Sequence, residues 1–149
     1  MRASRPARLW GYEAAIGRPG YQEDLTMATN DENRRAKIAE LNDQVRKDAG
    51  RPTSHFQATN PHRVLITAGI TALPLEDQIA ICRKVREFNT FDDDNDPYGK
   101  HEYGIVEHRG KSVFWKIDYY DRALEYGSED PADPEKTCRV LTILFATEY

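Results

Sequence analysis

The chain has 149 residues, which is enough for one domain with a modest core. Hydrophobic residues make up 39% of the chain and charged residues 31%, and the formal net charge is −4. No apolar run approaches the roughly 20 residues that a membrane helix needs, so the sequence argues against a membrane protein. The arginines near the start are not followed by an apolar segment, and we therefore expect no secretory signal.

Charge and cysteine content narrow the class of protein further. Residues 63–149 hold eleven bases against seventeen acids, a net charge of −6, whereas a conventional nucleic-acid binder needs a basic face. Cys82 and Cys138 lack the CxxC spacing of a metal or redox motif, which predicts reduced thiols in a reducing compartment. We therefore expect a cytoplasmic protein without a cofactor, for which nucleic acid is an improbable partner.

The first part of the chain shows no regular apolar period. Glycines and prolines interrupt residues 1–29, which predicts a flexible arm or non-native upstream sequence ahead of a start at Met27. Asn30 is a good helix N-cap, and the apolar stripe that follows predicts a helix over about 31–48. The single domain is therefore expected over 30–149. The stripe consists of Ile38, Leu41 and Val45.

The next two elements are a strand and an amphipathic helix. A short apolar run predicts a buried strand over 63–68, ahead of a helix over 74–89 that has Pro74 in its first turn. Acids lead and bases trail in this helix, as the helix dipole prefers. Its apolar stripe consists of Leu75, Ile79, Cys82, Val85 and Phe88, with Ile81 beside it.

The remaining elements are predicted strands. Arg109-Gly110 suits a tight turn between strands over 102–108 and 112–120, and a further strand is expected over 122–127. The segment 139–146 has some helical spacing, but its composition favours a strand. We predict an α+β domain in which two helices pack on an antiparallel sheet of four to five strands. The residues predicted to face the core are Val113, Trp115, Ile117 and Tyr119.

The second half of the chain carries several long motifs. They are NDPYG at 95–99, WKIDYYD at 115–121, DPADP at 130–134 and RVLTI at 139–143. With these motifs the chain resembles an uncharacterised family, a domain of unknown function that is common in alphaproteobacteria, often on plasmids and integrative elements. The family has no assigned activity. The resemblance therefore implies a setting among the accessory genes of mobile elements and no catalytic residues.

The loop 92–96 is the densest group of carboxylates in the chain. Several oxygen ligands on a turn suit a hard cation, although Pro97 stands where an EF-hand requires glycine. The alternative is a solvated acidic loop in which Asn95 and Asp96 make Asx-type turn bonds. The candidate metal ligands are Asp94, Asp96, His101 and Glu102.

Tyrosines outside the predicted core indicate a second kind of site. Exposed tyrosines on a rigid surface supply strong contacts to a partner, and acids around them speed association. We predict a non-enzymatic protein-interaction module of a mobile element, such as an inhibitor of a host defence or DNA-handling protein. The alternative is a small metal-dependent hydrolase or nuclease that uses the acidic loop. The candidate binding residues are Tyr98, Tyr103, Tyr120, Asp92, Asp93 and Asp94.

Overall fold

The structure is a computed structural model that describes residues 19–51 and 57–149, with side chains from Met27 onward. The chain divides into two units, residues 1–34 and residues 35–149. The second unit contains the sheet and its hydrophobic core. The predicted flexible or non-native arm lies largely outside the described residues and stays a prediction.

The first described element is α1 (Pro19–Arg46), a helix of 28 residues. The prediction of a helix over 31–48 was wrong about its start, and Asn30 lies inside α1 rather than at its N-cap. Proline is well tolerated in the first turn of a helix, and no later proline interrupts this segment, so the helix extends through residues that lack an apolar stripe. Among the described residues, no helix combines the length and the apolar character needed to cross a membrane.

The other elements are the predicted strands and helix, in their predicted order, together with two short helices at 68–71 and 146–148 that were not predicted. They are β1 (His62–Ile66), α2 (Ala68–Thr71), α3 (Leu75–Arg86), β2 (Tyr103–His108), β3 (Lys111–Tyr120), β4 (Cys138–Phe145) and a short 3₁₀ helix, η1 (Ala146–Glu148). The α+β class and these strands are confirmed. The predicted strand over 122–127 was wrong, because Asp121 accepts the Glu125 N–H at 3.0 Å and folds the segment into a turn. A single bridge, Tyr120 to Gly127, remains there.

The sheet has four strands in the order β1-β4-β3-β2. Its β2–β3 and β3–β4 pairs are antiparallel, but β1 and β4 run parallel, so the sheet is mixed and the prediction of an antiparallel sheet was wrong in this respect. Parallel neighbours need a long crossover, which the chain between β1 and β4 provides. The β2–β3 turn has positive φ at Arg109 (50°) and Gly110 (78°), as expected for a tight hairpin.

One side of the sheet, the core face, carries the hydrophobic core. Val113, Trp115 and Ile117 are buried there, and Tyr119 packs against the same core, which confirms the predicted alternation. Gly104 of β2 makes room for the indole, because a Cβ at that position would lie 2.5 Å from Trp115 Nε1.

The orientation of α3 differs from the prediction. Leu75 and Ile79 were expected in the core but are 70% and 49% exposed, whereas Asp77 is buried with Ile81 one turn further on. Asp77 Oδ1 lies 2.9 Å from His108 Nε2, and Arg109 Nε donates to it at 2.7 Å. These hydrogen bonds, chiefly the one from His108, lower the pKa of Asp77. The hydrogen bonds of buried Asp77 set the rotation of the helix, which the apolar stripe alone cannot reveal.

Two arginines join the C-terminal ends of α1 and α3. Arg46 Nη1 donates to the carbonyl oxygens of Val85 (3.2 Å), Arg86 (3.1 Å) and Phe88 (2.8 Å). In return, Arg86 Nη1 donates to Ala49 O at 2.6 Å. The last carbonyls of a helix have no partner within the helix, so each arginine completes the end of the other helix.

Replacement of Arg46 by methionine should lower the free energy of unfolding by about 3 kcal/mol. Methionine keeps much of the side-chain volume but removes the guanidinium donor from Arg86 O and Phe88 O, whereas Val85 O keeps the Phe88 N–H at 3.3 Å. Urea denaturation measures the change. Lys37→Met is the matched control, because Lys37 lies on the same helix and makes only an exposed pair with Glu40; it should cost less than about 0.5 kcal/mol. A loss below about 1 kcal/mol for Arg46→Met would contradict the capping role.

Candidate functional site

The acidic loop between α3 and β2 is held by its own side chains. Asp92 Oδ1 accepts the N–H groups of Asp94 (2.9 Å) and Asn95 (3.0 Å). Asn95 Oδ1 accepts the Asp92 N–H at 3.0 Å. Asp96 Oδ1 accepts the N–H groups of Lys100 (2.8 Å) and His101 (3.1 Å). The prediction of a loop is therefore confirmed, but the Asx-type turn bond belongs to Asp92 rather than to Asn95 or Asp96.

The other candidate metal ligands have separate partners. His101 stacks on Phe91 with ring centroids 3.9 Å apart, and its Nδ1 lies 3.0 Å from Asp43 Oδ1. Glu102 accepts the Tyr119 hydroxyl at 2.6 Å. Among the described residues, no three His, Cys, Asp or Glu side chains gather closely enough to hold a metal ion.

His101 is also the one candidate ligand with an unusual backbone. Its φ of 56° lies in the left-handed region, which costs a non-glycine residue roughly 1 kcal/mol or more. The bonds to Asp43 and Asp96 and the stacked Phe91 ring hold it there. Sequence analysis could not find Asp43 as a partner, because 58 residues separate it from His101.

Beside His101 lies a cleft of about 480 Å³ between the C-terminal ends of α1 and α3. Asp43, Arg46 and Arg86 form part of its lining. Asp43 accepts from Arg46 Nη2 at 2.8 Å, and both arginines are engaged with helix carbonyls. The polar groups of this cleft therefore serve mainly to join the helices.

The side of the sheet opposite the core, the outer face, presents a different surface. The described helices place their buried apolar side chains in the core on the other side. Leu65 and Ile105, on the two edge strands, are 53% and 44% exposed. Three apolar residues of β4 on this face, Cys138, Val140 and Leu144, are nevertheless buried. The outer-face residues are Arg63 and Leu65 from β1, Cys138, Val140, Thr142 and Leu144 from β4, Ser112, Phe114, Lys116, Asp118 and Tyr120 from β3, and Tyr103, Ile105 and Glu107 from β2.

Aromatic side chains form a cluster on the outer face. The Phe114 ring lies edge-on to Tyr103 at 5.7 Å and to Tyr149 at 5.8 Å. Burial raises the pKa of the Tyr103 hydroxyl. Next to this cluster, Lys116 Nζ and Asp118 Oδ2 lie 2.5 Å apart on the same strand, and this hydrogen bond raises the pKa of Lys116.

The candidate binding residues divide between two places. Tyr103 and Tyr120 lie on the outer face, where Tyr120 is 37% exposed. Tyr98 lies in the loop, 62% exposed, with Lys100 Nζ 5.7 Å from its ring centroid. The acids Asp92, Asp93 and Asp94 also lie in that loop. Three outer-face contributors were not predicted: two are exposed apolar residues in strands, which have the same pattern as buried ones, and the third follows η1 and reaches the face only through its contact with Phe114. They are Leu65, Ile105 and Tyr149.

Glu148 holds the C-terminal end of the chain, and with it Tyr149, close to the sheet. Its carboxylate accepts the Thr67 hydroxyl at 2.8 Å and the N–H groups of Gly69 (3.0 Å) and Phe145 (2.9 Å). The bond from the Phe145 N–H and then the one from Thr67 lower the pKa of Glu148. The ionised carboxylate therefore fastens η1 to the loop after β1.

Together these features define a two-layer α+β domain with one sheet face covered by helices and one face open among the described residues. Residues 66–148 match the family described as protein of unknown function DUF3768, and the chain belongs to that family. The resemblance to a domain of unknown function is thereby confirmed. The match includes α3, the acidic loop and the strands β2, β3 and β4. Comparison with curated proteins and with solved structures gives no match.

Replacement of Glu148 by glutamine should lower the melting temperature at neutral pH and have progressively less effect in acid. The pKa of Glu148 is lowered in the folded chain, so its ionised form stabilises the fold above the pKa of the unfolded chain. That contribution disappears as the pH falls below the ordinary glutamate value of 4.5 and through the lower folded pKa.

Thermal melts of the Glu148→Gln variant and of the original chain, from neutral pH to about pH 3, measure the effect. Glu125→Gln, in an exposed turn, is the control and should leave the melting temperature unchanged at every pH. A difference between Glu148→Gln and the original chain that stays constant from neutral pH to about pH 3 would show that the charge of Glu148 does not contribute.

Proposed function

We propose that this domain is a non-enzymatic protein-interaction module and that the outer face of its sheet is the contact surface. The observation that carries the proposal is the exposure of apolar side chains on that face, with Leu65 and Ile105 at its edges and Tyr120 at the end of β3. An antiparallel sheet with one face in water normally presents polar residues there. Exposed apolar side chains on a domain surface are characteristic of binding sites when they occur together.

The chemistry of the outer face suits a protein partner. Phe114 and Tyr103 already pack against each other, so they lose little side-chain freedom when a partner covers them. Removal of apolar area from water contributes roughly 25 cal/mol per Å², and tyrosine adds a hydroxyl that can hydrogen-bond to the partner. The outer face therefore contains the rigid aromatic anchors that dominate protein interfaces.

The charge distribution assigns binding strength and association rate to different residues. Lys116 and Asp118 balance each other on the outer face, whereas Asp92, Asp93 and Asp94 are exposed on the loop. Exposed charges elsewhere on the same domain still attract a partner of opposite charge and mainly raise the association rate. A partner with a basic rim fits this arrangement.

The biological setting of this proposal rests on the family resemblance. Accessory genes of mobile elements act on the cells that receive them, and a host defence or DNA-handling protein is the target class that this setting favours. DNA-handling proteins carry basic surfaces, which agrees with the net charge of −6 over residues 63–149.

The contact proposal is favoured over a hydrolase that uses the acidic loop. Three of the four candidate ligands already have specific partners, because Asp96 caps two backbone N–H groups, His101 is bound to Asp43 and Glu102 accepts from Tyr119. Cation binding by this set would break several of those hydrogen bonds. Each such bond contributes roughly 1 kcal/mol to the fold.

A photo-crosslinking amino acid at Ile105 should capture a discrete partner protein in the native cell. The same amino acid at Arg83, which is exposed on α3 in the helical layer, is the matched control and should give no such product. Tyr120→Ala combined with the Ile105 probe should reduce the yield, because loss of an aromatic anchor costs about 2 kcal/mol of binding energy. Gel electrophoresis and mass spectrometry measure the products. Equal products from the two probe positions would contradict the assignment of the outer face.

A further inference from the structure

The outer side chains of β3 form a row that is symmetric in shape about its centre and carries opposite charges on the two sides of that centre. Its side chains run in the order Phe114, Lys116, Asp118, Tyr120, with Ile117 at the centre on the opposite side of the strand. An aromatic ring therefore stands at each end, and a cation and an anion stand on either side of the centre. Such a row is complementary to itself when it is reversed.

A two-fold axis makes this complementarity explicit. Two copies are placed with their outer faces opposed. The two-fold axis lies midway between the faces, runs perpendicular to the strands and passes over β3 at Ile117. Rotation about it reverses the direction of β3, so Lys116 of one copy faces Asp118 of the other, and each Phe114, with Tyr149 of its own chain beside it, faces a Tyr120. Every contact is made twice, as in all two-fold interfaces between identical chains. Sheets packed in this way lie about 10 Å apart, within the reach of these side chains.

We propose that a second copy of this chain occupies the outer face, with Lys116 and Asp118 exchanged between copies across a two-fold axis at Ile117. This proposal rests on the proposed function, since it concerns the same surface, which the second copy covers while no target protein is bound. The charges of Lys116 and Asp118 favour a second copy of the chain as the partner. Lys116 and Asp118 are both partly exposed, and opposite charges two residues apart on one strand attract the reversed pair of an identical strand.

The size of the face sets the expected strength of association. Four strands about 4.8 Å apart and the seven residues from Phe114 to Tyr120, at about 3.4 Å each, give a footprint of roughly 450 Å² per copy. Specific interfaces usually bury at least about 1,200 Å² in total, so a pair of these footprints lies at the small end even after protruding side chains are added. We therefore expect a dissociation constant of about 1–100 µM.

Sedimentation velocity of the full chain from about 1 to about 300 µM covers this range. The original chain should change from a monomer to a dimer as its concentration rises. Lys116→Glu and Asp118→Lys should each weaken self-association at least about tenfold, because each places like charges opposite one another. An equimolar mixture of these two variants should recover the complex, since the acids of one chain then face the lysines of the other.

Two further variants make the test specific. Lys116→Glu combined with Asp118→Lys in one chain restores both the intrachain pair and the exchange, and should self-associate like the original chain. Arg83→Glu, a charge reversal in the helical layer, should leave self-association unchanged. Circular dichroism checks that each variant is folded.

Two results would overturn the inference. If the original chain remains a single copy throughout the range, no second copy occupies the face; a crosslink from Ile105 to a different protein would then still support the proposed function. If the chain dimerises but the mixture of Lys116→Glu and Asp118→Lys does not recover the complex, the dimer uses another surface.

Discussion

The fold depends on the exchange of capping arginines between its two long helices. Arg46 of α1 satisfies the terminal carbonyls of α3, and Arg86 of α3 satisfies Ala49 O just beyond the end of α1. A guanidinium at a helix C-terminus meets both unsatisfied acceptors and the negative end of the dipole. Because each helix completes the other, neither can leave the sheet without exposing the end of its neighbour. Both therefore remain on the core face, and the outer face is left for other contacts.

The two sides of the sheet differ in polarity: a buried polar network lies on the core side, and exposed apolar groups lie on the outer face. On the core side, buried Asn42 accepts from Arg139 Nε at 2.7 Å and donates to the Tyr119 hydroxyl at 2.8 Å. Burial lowers the pKa of Arg139 to about 10, so its guanidinium remains charged at neutral pH. Buried polar networks fix one arrangement of the elements around them. The outer face holds the apolar groups that an isolated domain would bury, and a partner there removes their cost in water.

Sequence patterns predicted the features that neighbouring residues determine. The Arg109-Gly110 turn, the alternation along β3 and the self-capped acidic loop are set within a few residues, and all are confirmed. The rotation of α3 depends on Asp77 and His108, which are 31 residues apart, so an apolar stripe could not reveal it. The parallel pairing of β1 with β4 likewise depends on where the whole crossover places the last strand. The outer face was predicted only along β3 and at Tyr103, because exposure of Leu65 and Ile105 is a property of the assembled layers.

The most direct test of the contact surface is hydroxyl-radical footprinting of the protein in its native cells against the dilute purified chain. The assignment predicts that Tyr103, Phe114 and Tyr120 are oxidised less in the cell, where the outer face is covered. Tyr126, which is exposed in the turn after β3, should be oxidised equally in both samples and serves as the internal reference. Unchanged oxidation of the three outer-face residues, with protection of Tyr98 in the acidic loop instead, would contradict the account.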